Sequence, residues 1–275
     1  MSIKAATLRA MRTVDCTQGP LMDYRRAFFI LPAVNCQTHR TFTTMLNRSR
    51  ICTNLSEFTD ARVVTFLNPY SLLKIIESGT DLHKFDKLCI DGVALKMFLG
   101  WVYRDKNIQR LSFDFTSVAN GFFKRAADAS EKGFILGSDE QSNATFLTKI
   151  SSMYPGLSVE GRSGYFNGDE DLSNYLENLA KTDFDFVIIG MGAVKQEEVA
   201  NALVDFGFKG RIYTCGGFIH QTAMSGGKYY PWLVNKLQLR FAYRMFKEPT
   251  TVRRYLLDYP RAFLLLSRNI HKFTH

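Results

Sequence analysis

Five short apolar runs divide the middle of the chain: Val63–Leu67, Leu88–Ile90, Gly133–Gly137, Phe184–Gly190 and Gly210–Cys215. Each is long enough for one strand, and each reads as a strand buried on both faces. Amphipathic stretches fill the gaps. Asn68-Pro69 has the form of an N-cap followed by proline at the first helical position, which predicts a helix through Ser78. Ser138-Asp139 opens another, in which Ala144, Leu147, Ile150 and Met153 recur at helical spacing until Tyr154-Pro155-Gly156. Strand and helix in alternation predict an α/β class of Rossmann-like type, a mostly parallel sheet with helices on both faces and ligands at the carboxyl ends of the strands.

The flanks differ from this core. Residues 1–60 are polar and basic without clear periodicity and are read as an N-terminal extension of unknown role. Residues 61–227 form the α/β domain. Beyond Gly226-Gly227 the pattern becomes helix-only, divided by Pro231, Pro249 and Pro260, so residues 228–275 are read as a C-terminal helical appendage.

Charge gives this appendage a character. The chain carries a formal +9, and from Gly226 onward ten basic residues face only Glu248 and Asp258. Leu233, Leu237, Phe241 and Met245 recur every four positions beside Lys236, Arg240, Arg244 and Lys247, as in a helix lying on an anionic membrane surface; the competing reading is a helix packed on the domain with a solvated basic face. No apolar run reaches the roughly 18 to 20 residues that span a bilayer, so a peripheral position is expected. Arg25-Arg26 precedes an apolar run that stops at Pro32 with no small-residue cleavage site, which argues against an export signal. The five cysteines, odd in number and dispersed, suggest neither a disulfide framework nor a zinc site, and the five histidines show no ligand spacing.

Two segments have the right residues for chemistry. Asp91-Gly92 directly follows Leu88-Cys89-Ile90, which sets a carboxylate at a strand's carboxyl end, where a general base is wanted. The competing reading is an N-cap for the helix that follows. Gly190-Met191-Gly192 follows the strongest strand and leads into Lys195-Gln196-Glu197, which reads either as a glycine turn before a helix start whose unpaired N–H groups suit phosphate oxygens or as a tight turn with a solvated helix start. A dinucleotide fingerprint would need glycine where Lys195 stands. Gly216-Gly217 reads as a second wall of the same crevice or as a turn. Asp169-Glu170-Asp171 has the shape of a metal-binding DxD, but acids after Gly168 at the start of a helical pattern read better as a dipole-complementing first turn. No metal or other cofactor is assigned.

In order and spacing these pieces resemble the WecG/TagA/CpsF family of bacterial glycosyltransferases over roughly residues 60 to 258: Asn68-Pro69, Asp91-Gly92, Arg110 with Asp114, Tyr154-Pro155, Gly161–Phe166, Gly190–Gly192 with Lys195-Gln196-Glu197, Gly216-Gly217, Pro231-Trp232, and Tyr243-Arg244 through Arg253-Arg254-Tyr255. The resemblance implies an inverting, metal-independent transfer from a UDP-sugar to a polyprenyl-diphosphate-linked sugar in cell-surface polysaccharide synthesis. The setting would be the cytoplasmic side of the inner membrane, and a homo-oligomer is compatible with it. It makes Asp91 the catalytic base. Asn68, Arg110, Gly190, Gly192, Gln196, Glu197, Gly216, Gly217, Arg244, Arg253 and Arg254 become substrate-binding residues. The chain departs from the family pattern at Phe66, where threonine is usual and Thr65 lies one residue earlier, and at Val194, where proline is usual. Two other classes fit parts of the sequence. A nucleotide-dependent oxidoreductase shares the strand-glycine-helix signals but lacks the fingerprint, and a basic nucleic-acid-binding protein shares the charge but lacks a recognisable module, so no nucleic acid is expected.

Overall fold

The computed structural model describes residues 46–225 and 250–268. Its sheet has six strands, β1 (Val63–Leu67), β2 (Lys87–Ile90), β3 (Lys132–Gly137), β4 (Ser158–Arg162), β5 (Phe186–Gly190) and β6 (Arg211–Thr214), in the order β2-β1-β6-β5-β3-β4. Every pairing is parallel. The helices are α1 (Leu55–Asp60), α2 (Pro69–Ser78), α3 (Val93–Val102), α4 (Val118–Asp128), α5 (Glu140–Met153), α6 (Asp169–Leu179), α7 (Lys195–Asp205), α8 (Phe218–Ser225), α9 (Thr250–Arg253) and α10 (Tyr259–Arg268), with a π-helical turn, Arg254–Asp258, joining the last two.

Successive strand residues point to opposite faces, and each face has its own core. Val63, Leu67, Leu136, Val187, Ile189 and Ile212 pack with α2, α3, α6, α7 and α10. Val64, Phe66, Ile135, Phe186, Ile188 and Tyr213 pack with α1, α4, α5 and α8. Double coverage explains why β1 and β5 are buried at every position and read as unbroken apolar runs. Strand β4 shows the converse. Among the described residues Ser-Val-Glu-Gly-Arg lies at the sheet edge, pairs only with β3 and stays half exposed, so no apolar run announces it.

The expected helix starts at Asn68 and Asp139 are both present. Asn68 Oδ1 accepts from Ser71 N at 3.0 Å while Ser71 Oγ accepts from Asn68 N at 2.9 Å, a reciprocal capping box. Asp139 accepts from Ser142 N at 2.8 Å. Asp169, Glu170 and Asp171 form the first turn of α6. The inward side of α5 differs from the expected one: Ser142, Asn143, Phe146 and Ile150 are buried, whereas Ala144 and Met153 are exposed. Asn143 is the reason, because its amide donates to Ile135 O, Gly137 O and Arg162 O and ties β3 to the end of β4.

Residues 46–60, within the expected N-terminal extension, pack against the sheet and its helices. Leu46, Ile51, Cys52 and Phe58 are fully buried. Ile51 bridges Leu88 in parallel, and Cys52 N donates to Leu88 O at 3.0 Å, which covers an otherwise open edge of β2. At the other end, α10 buries Ala262 and Leu266 and packs on α2. That part of the expected appendage is therefore attached to the domain. The stripe from Leu233 to Met245 lies outside the described residues, as do Arg244 and residues 1–45. Among the described residues no helix is long and apolar enough to cross a membrane, and Cys52, Cys89 and Cys215 are free and buried.

Candidate active site

Strand β6 is followed by α8 on one face of the sheet, whereas its neighbours β1 and β5 are followed by α2 and α7 on the other. Connections that leave in opposite directions open a crevice at the carboxyl edge. Along that edge, in spatial order, stand Asp91 after β2, Asn68 after β1, Gly216 after β6 and Gly190–Gly192 after β5. Neighbouring strands are about 4.8 Å apart, so the row from β2 to β5 spans roughly 14 Å.

Asp91 does not cap α3. The cap position is Gly92, with φ +111°, and no side chain bonds the first turn. The Asp91 backbone is held by donation from its N–H to Leu67 O at 2.7 Å. Its side chain is 36% exposed, with Arg110 Nε 3.8 Å from Oδ1. Arg110 is itself positioned: Leu111 N donates to Ile90 O at 3.0 Å, and Arg110 Nη2 donates to Ser112 Oγ at 2.5 Å and approaches Asp114 Oδ2 at 3.4 Å. Ser112 Oγ in turn donates to Asp114 Oδ2 at 2.6 Å. The carboxylate is thus solvent-reachable beside a fixed guanidinium.

At the other end of the row, Gly192 turns with φ +83° and leads into α7. Val194 has φ +78°, a strained conformation for a β-branched residue and of a kind that clusters at ligand sites. Gly190 is required for packing, since a Cβ there would lie 2.6 Å from Ile219 Cδ1 and 2.9 Å from Cys215 Sγ. Gly216, with φ +57°, forms the turn after β6.

Gln196 and Glu197 are turned inward, 2% and 0% exposed. Glu197 accepts three hydrogen bonds: from Thr65 Oγ1 at 2.8 Å, Gln196 Nε2 at 2.8 Å and Val194 N at 2.9 Å. Thr65 spends its proton on Glu197 and therefore accepts from Thr214, 2.8 Å away, whose oxygen lies 3.3 Å from the Phe66 N–H. Gly216 N can only donate, so the atom it meets at 3.0 Å is Gln196 Oε1. One buried carboxylate thereby joins β1, β6, the Gly216 turn and the start of α7. Burial pushes its pKa above the ordinary Glu value, and the bonds from Gln196, Thr65 and Val194 only partly offset this. Thr65 and Thr214 were not singled out as site residues; the available signal was a hydroxyl inside an otherwise apolar strand. Gln196→Ala is expected to cost about 1–3 kcal/mol by leaving the Gly216 N–H unpaired. Unchanged calorimetric melting would show that Gln196 does not hold the Gly216 turn.

One contact at the edge was not expected, and one expected arginine reaches it. Ser142 Oγ donates to Asp139 Oδ2 at 2.7 Å and lies 3.1 Å from His220 Nδ1. Hydrogen bonds from Ser142 hold the Asp139 pKa down to about 2. Arg254 stacks over the Tyr70 ring at 4.1 Å, which brings a tail arginine to the first turn of α2, two residues from Asn68. Arg253 is exposed.

The fold and this edge are those of an α/β enzyme whose reacting groups sit outside the strand ends. The glycosyl transferase WecG/TagA/CpsF family model matches residues 36–274, and the chain belongs to that family and is a glycosyltransferase. A similar curated protein is the UDP-Gal:alpha-D-GlcNAc-diphosphoundecaprenol beta-1,4-galactosyltransferase of Shigella boydii, 32% identical over 212 residues, covering 76% of this chain and 88% of the relative.

Proposed function

We propose that the enzyme transfers a sugar from a UDP-linked donor to a sugar carried on a polyprenyl diphosphate, with inversion at the anomeric carbon, at the cytoplasmic side of the inner membrane in cell-surface polysaccharide synthesis. The relative's named donor and acceptor support both substrate classes. The observation that carries the mechanism is the half-buried, non-capping carboxylate of Asp91 at the end of β2 beside Arg110.

Asp91 takes the proton of the attacking acceptor hydroxyl. A bond forms between that oxygen and the anomeric carbon, the bond from the anomeric carbon to the phosphate oxygen breaks, and its electron pair leaves with UDP. Lys195, which opens α7, and the arginines Arg110 and Arg254 are the cationic partners for phosphate charge. The Asn68 side chain and the turns at Gly192 and Gly216-Gly217 shape the crevice between them.

These partners supply charge without a divalent ion, so transfer is expected to survive chelation by EDTA; loss with rescue by Mg²⁺ or Mn²⁺ would overturn metal independence. The reading as a whole is tested by screening UDP-sugars with a short-chain polyprenyl-diphosphate-sugar acceptor. Transfer from at least one of them is expected, and failure of all would overturn the UDP-linked donor.

A further inference from the structure

Helix α3 begins two residues after Asp91 and is apolar on two sides. Leu95, Leu99 and Val102 face the core. Val93, Met97 and Trp101, spaced i, i+4, i+8 and so aligned on one outer face, are 37%, 68% and 69% exposed. The patch continues onto the C-terminal helix. Phe98 packs against Trp101 with ring centroids 6.3 Å apart and against Phe263 of α10 at 5.6 Å. Leu264 beside it is 45% exposed, and Leu256 in the π-helical turn is 61% exposed.

A surface helix ordinarily turns charge outward; α3 carries only Lys96. A contiguous exposed apolar patch marks a contact surface. Its rim chooses the partner. Over residues 93–106 and 250–268 there are seven cations, Lys96, Arg104, Lys106, Arg253, Arg254, Arg261 and Arg268, against Asp105 and Asp258; Asp105 is paired with Arg48 and Arg261 with Glu77, and Arg254 lies over Tyr70. Exposed apolar side chains in segments of net positive charge match the headgroup boundary of an anionic bilayer.

We propose that the outer face of α3, with the adjoining α10 surface, rests on anionic phospholipid and sets Asp91 close to the membrane plane. Docking thus involves the catalytic core as well as the basic tail. Its purpose rests on the lipid-linked acceptor proposed above; its test does not, because vesicle binding needs no acceptor.

The full-length Met97→Glu/Trp101→Glu variant is compared with wild type by co-sedimentation with phosphatidylglycerol-containing vesicles and with pure phosphatidylcholine vesicles. Wild type is expected to prefer the anionic vesicles. The variant should bind them about tenfold less tightly or worse, melt as wild type does, and retain turnover on a short-chain, water-soluble acceptor while losing it on a long-chain acceptor in vesicles. Unchanged binding to anionic vesicles would overturn the proposal. So would sedimentation of wild type as a dimer that the variant converts to monomer without altered vesicle binding, since the patch would then join two copies. If the variant misfolds, Met97→Ser and Trp101→Ser are read by the same assay, and unchanged binding in both overturns it as well.

Discussion

Asp91→Asn is expected to lower kcat by about 10²- to 10⁴-fold, the usual cost of losing a positioned general base, with little change in the KM for the proposed donor. Asparagine keeps the shape, and the backbone bond from residue 91 to Leu67 O is independent of the side chain. The α3 cap is also unaffected, because it resides at Gly92. The melting temperature should therefore stay within a few degrees of wild type. This outcome separates the two readings of Asp91: a cap would cost stability and leave chemistry intact, whereas a base does the reverse. A purified Asn variant that keeps more than about a third of wild-type turnover would mean that another group takes the proton. Arg110 sharpens the experiment. Its guanidinium stands 3.8 Å from Asp91, so Arg110→Ala should lower turnover without mimicking the full loss.

Glu197→Ala is expected to produce the largest stability loss of any single change at the edge. It strips the acceptor from Val194 N, Gln196 Nε2 and Thr65 Oγ1, all buried or nearly so. The Thr65 hydroxyl can rotate toward Thr214, but the other two donors are left unpaired, which costs about 3 kcal/mol or more. For a chain of this length that lowers the melting temperature by roughly 10 °C. Glu197→Gln keeps the volume but sets an NH₂ group among donors, so it should recover only part of the loss. The pH dependence has a definite sign. Burial raises the folded pKa above the unfolded value, so the folded state holds its proton where the unfolded state has released it. The stability owed to this group is fully present below the unfolded pKa and is lost as pH rises through the folded one. The gap in melting temperature between wild type and Glu197→Ala should accordingly be wider near about pH 4 than near about pH 8. Equal gaps at both, or a loss of less than about 1 kcal/mol, would show that the carboxylate does not hold the edge together.

Much of this architecture was legible because it depends on short-range chemistry. Runs buried on both faces announced β1, β2, β3, β5 and β6, and caps announced α2 and α5 within one turn of their starts. The acids at 169–171 announced α6 by complementing its dipole. Asp91 and the Gly190–Gly192 turn were found by the same logic, as polar or glycine residues immediately after an apolar run.

What local pattern could not supply came from contacts between distant segments. Strand β4 carries Glu160 and Arg162 because only one edge is paired, so its strand character is owed to β3. Residues 46–60 look irregular alone and are ordered by the edge of β2. Gln196 and Glu197, read as pocket-lining, point into the sheet because Thr65, 132 residues from Glu197, offers a hydroxyl there.

The sequence by itself therefore determined the element types, the parallel α/β class and the carboxyl-edge residues, since capping, periodicity and double-sided burial act within a few residues. Tertiary structure alone decided the strand order, the pairing of Asp91 with Arg110, the inward turn of Glu197 and the apolar outer face of α3, because hydrogen-bond satisfaction and burial are settled only when segments far apart in the chain pack together.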